Sequence, residues 1–161
     1  MKEIKLTQGK IALVDDEDYE YLNQWKWYAA KAPHTFYAAR GVNRKGKWTS
    51  EKMHRVLFDI PAGKEIDHIN HNGLDNRRSN LRIVTTQQNS LNVSAFGSSR
   101  YLGVCVYEKN GHRYIVAHIK HNGKNIHIGH FPTEEAAALA YNELAARYHG
   151  EYANLNKLTE R

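Results

Sequence analysis

Glu65-Ile66-Asp67-His68-Ile69-Asn70, followed by Asn80 and Asn89, decides how this chain is read. An acidic side chain, Asp67, stands beside an imidazole, His68. Two amides follow at intervals of twelve and nine residues, from 68 to 80 and from 80 to 89. Hydrolysis of a phosphodiester calls for such parts: oxygen ligands for a hard divalent cation, and a neutral base beside the attacking water. Mg²⁺ keeps most of its waters and takes about one or two protein oxygens, so a carboxylate plus an amide oxygen suffices. An imidazole with an ordinary pKa of about 6.5 suits general-base work near neutral pH. Residues 65–68 read as a short strand and polar residues 69–79 as a loop. Leu81-Arg82-Ile83-Val84-Thr85 reads as a second strand by its alternation and β-branched content. Thr85 or Thr86 can then cap a helix over residues 87–92. Folding the strands antiparallel brings His68 near the helix that presents Asn89, and lets Asp67 and Asn89 meet at one ion.

Upstream, the chain is rich in aromatics and alternates like short strands: Ile4/Leu6, Ile11/Leu13, then Phe36-Tyr37-Ala38-Ala39-Arg40. Asp15 or Asp16 can cap a short helix that carries Tyr19 and Leu22 on one face. The acidic run 15–18 reads as the solvated N-terminus of that helix, where carboxylates meet the favourable end of the dipole, rather than as a metal site. Trp25, Trp27 and Trp48 read as core residues rather than base-stacking platforms. Arg44, Lys45 and Lys47 are cationic side chains within reach of phosphates.

Downstream, residues 90–99 are small and polar and read as a linker. Strands are expected over 101–107, 113–121 and 125–131, separated by Asn110-Gly111 and Asn122-Gly123, which are hairpin signals. Thr133 then opens an amphipathic helix to His149, with Ala137, Ala140, Tyr141, Leu144 and Tyr148 on one stripe and Gly150 at the C-cap.

Composition narrows the function classes. A formal charge of +6 points to an anionic partner. Residues 76–107 hold no acid, while Arg77, Arg78, Arg82 and Arg100 lie there, a distribution suited to phosphates. The single cysteine, Cys105, excludes an internal disulfide and a multi-cysteine zinc site. No apolar run approaches the roughly 20 residues that span a bilayer, and the N-terminus lacks a signal peptide's apolar core. The expectation is a cytoplasmic protein with no membrane partner.

Met53-His54-Arg55, then Ile66-Asp67-His68-Ile69-Asn70, then Leu74-Asp75-Asn76-Arg77-Arg78-Ser79-Asn80-Leu81-Arg82, with Val84-Thr85 and Asn89, resemble the HNH homing-type endonucleases of the ββα-metal class. The resemblance implies Asp67 and Asn89 as metal ligands, His68 as catalytic base, and Asn80 as the central asparagine that orients the site. Asparagine at the last position suits Mg²⁺ or Mn²⁺ and argues against zinc, as does the loop position of His71. His54 and Arg55 either contact the cleaved strand's phosphate or pack the core. Arg77, Arg78 and Arg82 are expected at phosphates in preference to loop salt bridges.

Tyr101-Leu102-Gly103-Val104, Ile126-His127-Ile128-Gly129-His130-Phe131, Glu135 to Tyr141 and Asn154-Leu155-Asn156 are similar to the plant APETALA/ethylene-response-factor DNA-binding domain, whose sheet enters the major groove. Alternation turns Val104, Val106, Ala117, Ile119, Ile126 and Ile128 toward the helix, and Cys105, Tyr107, His118, Lys120, Asn125 and His127 outward. The plant family has arginine and tryptophan at several of the outward places, so docking of the sheet carries over and its base recognition does not. Arg100 and Arg113 add positive charge to the unit.

The expectation is therefore an α+β protein. It comprises a small β-rich N-terminal region (1–57), a central ββα-metal motif (53–92), a linker (93–99) and a C-terminal three-stranded antiparallel sheet packed on one helix (100–158). Its function is expected to be that of a metal-dependent endonuclease on double-stranded DNA, working as a monomer or homodimer in a bacterial or phage-infected cell. The alternative is a non-cutting, sequence-specific DNA-binding regulator, against which the intact Asp67, His68 and Asn89 speak. A recombination accessory protein is weaker still, since no integrase-like catalytic region is visible.

Overall fold

The computed structural model describes residues 1–93, 95 and 97–158; Ser94 and Phe96 of the expected linker lie outside these. The chain divides into two compact units, Met1–Asn89 and Ser90–Arg161. The α+β class expected from the sequence is the class observed. No helix among the described residues is long and apolar enough to cross a membrane.

In the first unit, β1 (Lys2–Lys5) pairs antiparallel with β2 (Ile11–Val14), and α1 (Asp16–Leu22) follows. Next, β3 (Tyr28–Lys31), β4 (Phe36–Arg44) and β5 (Lys47–Lys52) form an antiparallel sheet in that order. The short helix α2 (Met53–Val56) leads to the hairpin of β6 (Lys64–His68) and β7 (Leu81–Thr85), which ends in α3 (Thr86–Asn89). Ile4, Ala12, Val14, Leu22, Trp27, Ala38, Met53, Leu57 and Leu81 form one buried core. Each large apolar side chain removed from water there contributes about 1.5–3 kcal/mol. The Asn-rich loop after β6 docks on β2: Leu13 N–H donates to the carbonyl of Leu74 (2.9 Å), and Asn76 N–H to that of Leu13 (2.8 Å).

Three expectations are corrected. Trp48 is not a core residue; it is 72 % exposed on β5, where neither strand face is covered. Asp18 is not a solvated helix-end acid; it is buried, and Arg78 binds both its oxygens at 2.8 Å. The helix after β7 starts and stops earlier than expected, running over Thr86–Asn89. Thr85 caps it in a reciprocal box: Gln88 N–H donates to Thr85 Oγ1 (3.1 Å), and Thr85 N–H to Gln88 Oε1 (2.8 Å).

In the second unit, β8 (Val104–Lys109), β9 (His112–His121) and β10 (Lys124–His130) form an antiparallel sheet with β9 central. Asn110-Gly111 and Asn122-Gly123 make the turns, all four at positive φ, as two-residue type I′ hairpins require. Helix α4 (Glu134–His149) starts at Thr133, whose Oγ1 accepts from Ala136 N–H at 3.1 Å. Its Ala137, Ala138, Tyr141 and Ala145 pack on Val104, Ile115, Ala117 and Ile119. Val106, Ile126 and Ile128 join them, so the alternation read from the sequence gives the inner face. Ala95, Ser98 and Ser99, from the stretch expected as a linker, contribute packing and hydrogen bonds to this unit.

Candidate active site

The β6–β7 register sets Asp67 opposite Arg82 and His68 opposite Leu81. Alternation sends neighbouring side chains to opposite faces of β6. Ile66 and His68 turn toward the body of the unit; Glu65 and Asp67 turn the other way. His68 thus enters a cluster of rings. Its centroid lies 4.9 Å from that of His54 on α2 and 5.7 Å from that of Tyr37 on β4, while Tyr37 and His54 lie 5.6 Å apart. Both imidazoles are buried. The Lys52 ammonium sits 4.1 Å above the Tyr37 ring.

Burial governs the charge of these imidazoles. It pushes His54 down to about 3, aided by the charges of His68, Lys52 and Arg55. Burial also lowers His68, against an opposing pull from the Asn76 amide and the Asp67 and Asp75 carboxylates. His68 is therefore held neutral, as a proton acceptor must be.

On the other face, Arg82 donates to Asp67 Oδ2 from Nε (3.0 Å) and lies close through Nη2 (2.9 Å). Asn89 Nδ2 donates to Glu65 Oε2 (2.6 Å), and Thr86 Oγ1 to Glu65 Oε1 (2.9 Å). These two bonds, that from Asn89 first, hold the Glu65 carboxyl below its ordinary range. Asn89 is thereby joined to the strand that carries Asp67, through a residue the sequence reading passed over. The signal available was its place two residues before Asp67, on the same strand face.

Asn80 is buried at the neck of the loop. Its Oδ1 accepts from Asn70 N–H (3.0 Å), and its Nδ2 donates to the carbonyl of Asp75 (2.9 Å). Asp75, almost wholly buried, takes the Arg77 guanidinium at 2.7 and 2.6 Å and Asn70 Nδ2 at 2.8 Å. Arg77 thereby holds the Asp75 carboxyl low. Arg77, Arg78 and Arg82, expected at phosphates, thus each grip a carboxylate of their own unit. Arg55 is exposed and His54 is not.

Among the described residues no group of three or more His, Cys, Asp or Glu side chains could hold a metal ion. An all-protein cage is not what this site offers. The Asp67 carboxylate and the Asn89 amide oxygen, with Glu65 beside them, are hard donors, and that set fits a cation that retains its own waters.

In the second unit, Tyr107, Lys120, Asn125, His127 and Cys105 are exposed on the sheet's outer side, with His118 half-buried among them. His118 Nε2 and His127 Nδ1 lie 3.2 Å apart, and Tyr107 stacks on Tyr114 at 5.3 Å. Arg113 lies on the helix side, held by Glu134 at 2.8 Å. Arg100 pairs with Glu135 at 3.2 Å. The acidic first turn of α4 takes both guanidinium groups.

Residues 52–91 match the family model described as HNH endonuclease. An uncharacterized HNH endonuclease of Acanthamoeba polyphaga mimivirus is 34% identical over 157 residues, which cover 94% of this chain and 77% of that protein. No solved structure matches the chain.

Proposed function

The chain belongs to the HNH endonuclease family, and on that premise we propose that it hydrolyses DNA phosphodiester bonds with a divalent metal, using His68 as general base and Asp67 and Asn89 as the metal's protein ligands. The observation that carries this reading is a buried imidazole, held neutral, next in sequence to an arginine-braced carboxylate on a ββα hairpin. Bound Mg²⁺ or Mn²⁺ would offset the negative charge that grows on the phosphate oxygens in the transition state.

The remaining work falls to the side chains. His68 takes the proton of the attacking water on a ring nitrogen. Its ring is set against His54 and Tyr37, which limits its rotation. Arg82 fixes the rotamer of Asp67 by binding one carboxylate oxygen. Asn80 holds the loop between the strands closed and so keeps the end of β6 in place.

The second unit supplies duplex docking in this proposal. Its likeness to the APETALA/ethylene-response-factor domain and the outward position of Tyr107, His118, Lys120, Asn125 and His127 support a sheet laid on DNA. Arg100 and Arg113, paired with Glu135 and Glu134 at the start of α4, add positive charge beside the sheet.

Cleavage of supercoiled plasmid with Mg²⁺, comparing the wild-type chain with His68→Ala, tests the reading. Plasmids carrying the gene's own genomic surroundings are included as substrates. Relaxed or linear product from the wild type alone supports it, and the product form separates nicking from double-strand cutting. No cutting by either chain, with both shifting DNA in a gel, supports the non-cutting regulator instead.

A further inference from the structure

Strand β3 pairs with β4 only as far as Ala39, while β4 and β5 run on together to Arg44 and Lys47. Beyond Ala39 the sheet is thus a two-stranded ribbon. Residues 41–50 are exposed throughout, except half-buried Val42. A ribbon that buries neither face adds little to a core and is marginally stable by itself. Its composition suits contact with a polyanion. Residues 40–52 hold Arg40, Arg44, Lys45, Lys47 and Lys52 against the lone acid Glu51. Arg40 and Arg44 both bind Glu51 at 2.7 Å, while Lys45 lies in the two-residue turn with Gly46 and Lys47 follows it.

The two faces differ. Register places Arg40, Arg44, Lys47 and Glu51 on one side, and Asn43, Trp48, Gly41 and Ser50 on the other. On that second side the Trp48 ring lies across Gly41, where a Cβ would sit 3.5 Å from the indole. Ser50 Oγ is within 2.8 Å of the Tyr28 hydroxyl. The same face continues down β4 to Tyr37, whose ring meets His68. The ribbon face bearing Trp48 therefore has the catalytic imidazole at its foot. From Tyr37 to Asn43 the strand covers about 20 Å at about 3.4 Å per residue.

We propose that residues 40–52 form an arm that enters the major groove of the DNA being cut. Trp48, Asn43 and Ser50 meet base edges, and Lys45 and Lys47 meet the flanking phosphates. The inference rests on the nuclease reading above. A B-form major groove is about 12 Å wide and admits a two-stranded ribbon, whereas that of A-form RNA is too narrow for side-chain readout. An amide such as Asn43 suits adenine, and an apolar ring suits the thymine methyl.

The test measures DNA affinity of the full-length chain against salt concentration in EDTA, so that nothing is cut, with plasmid cleavage in Mg²⁺ run in parallel. Lys45→Gln with Lys47→Gln is expected to reduce the slope of log affinity against log salt by about two. Trp48→Ala is expected to weaken binding about tenfold with the slope retained, and to shorten the hydroxyl-radical footprint on one side. Both changes lie on an exposed ribbon, and an unchanged urea midpoint confirms the fold. Unchanged slope, affinity and footprint in a chain that still cuts overturn the arm and leave the nuclease standing. Arm-dependent binding without any cutting supports the arm and removes the nuclease reading. Tighter binding to duplex RNA than to duplex DNA of the same sequence overturns the groove assignment.

Discussion

His54 and His68 meet edge to face, their ring centroids 4.9 Å apart and their planes at 79°. Burial is the main force on both, and it favours the neutral ring. A general base works only when neutral, so depression of the His68 pKa extends the working range toward acid. The acid limb of kcat/KM for plasmid or oligonucleotide cleavage is expected below pH 6.5, the ordinary value for histidine. A limb centred at or above that value counts against a buried base.

The same burial predicts a pH-dependent stability. Above about pH 6.5 neither folded nor unfolded chain protonates His54, so it adds no pH dependence. As the pH falls from there, the unfolded chain takes up a proton that the folded chain refuses until about pH 3. Stability therefore falls with falling pH, by at most about 1.4 kcal/mol per pH unit for one such histidine. Trp25, Trp27 and Trp48 all belong to the first unit, so tryptophan fluorescence in urea follows that unit. The midpoint is expected to drop between pH 7 and pH 5, and to drop less in His54→Phe. Equal slopes in the two chains would show that another group refuses the proton.

Asn80→Ala removes two hydrogen bonds at the neck of the catalytic loop. The carbonyl of Asp75 loses its partner in a buried setting, while Asn70 is exposed and water can replace the lost bond. The expected cost is about 1–3 kcal/mol in urea unfolding. Activity is expected to fall less than in His68→Ala, because the base remains and only its support loosens. Loss of activity as complete as that of His68→Ala, in a chain of unchanged stability, would give Asn80 a direct role in the chemistry.

The β6–β7 hairpin was legible because its signals are local: an Asp-His pair, alternation, and a Thr85 cap answered by Gln88. The hairpins of the second unit were legible from two Asn-Gly turns. What escaped depends on distant pairing. Arg78 and Asp18 are 60 residues apart in sequence, and a count of charges shows the excess of arginine without showing which carboxylate holds each one. Tyr37 reaches His68 from another sheet, and nothing in its own neighbourhood announces it. Trp48 has the size and apolarity of a core residue, and it stands bare because no other layer covers that part of β5.

Gly73 connects the catalytic loop to that ring cluster. It is buried, and its N–H donates to Thr35 Oγ1 at 3.0 Å. A Cβ there would lie 2.6 Å from the Phe36 carbonyl oxygen and 2.6 Å from two carbons of the Tyr37 ring. Gly73→Ala must therefore push the loop off β4 or turn Tyr37 away from His68. Overpacking of this kind costs about 1–3 kcal/mol. The ring accounts for only part of the clash, because the Phe36 carbonyl is backbone and stays in place when Tyr37 is truncated. In a Tyr37→Ala background the cost of Gly73→Ala should accordingly shrink without vanishing, and urea midpoints of the four chains measure the coupling. Strict additivity would mean that the Tyr37 ring is not the obstacle, and that the loop yields at the backbone alone.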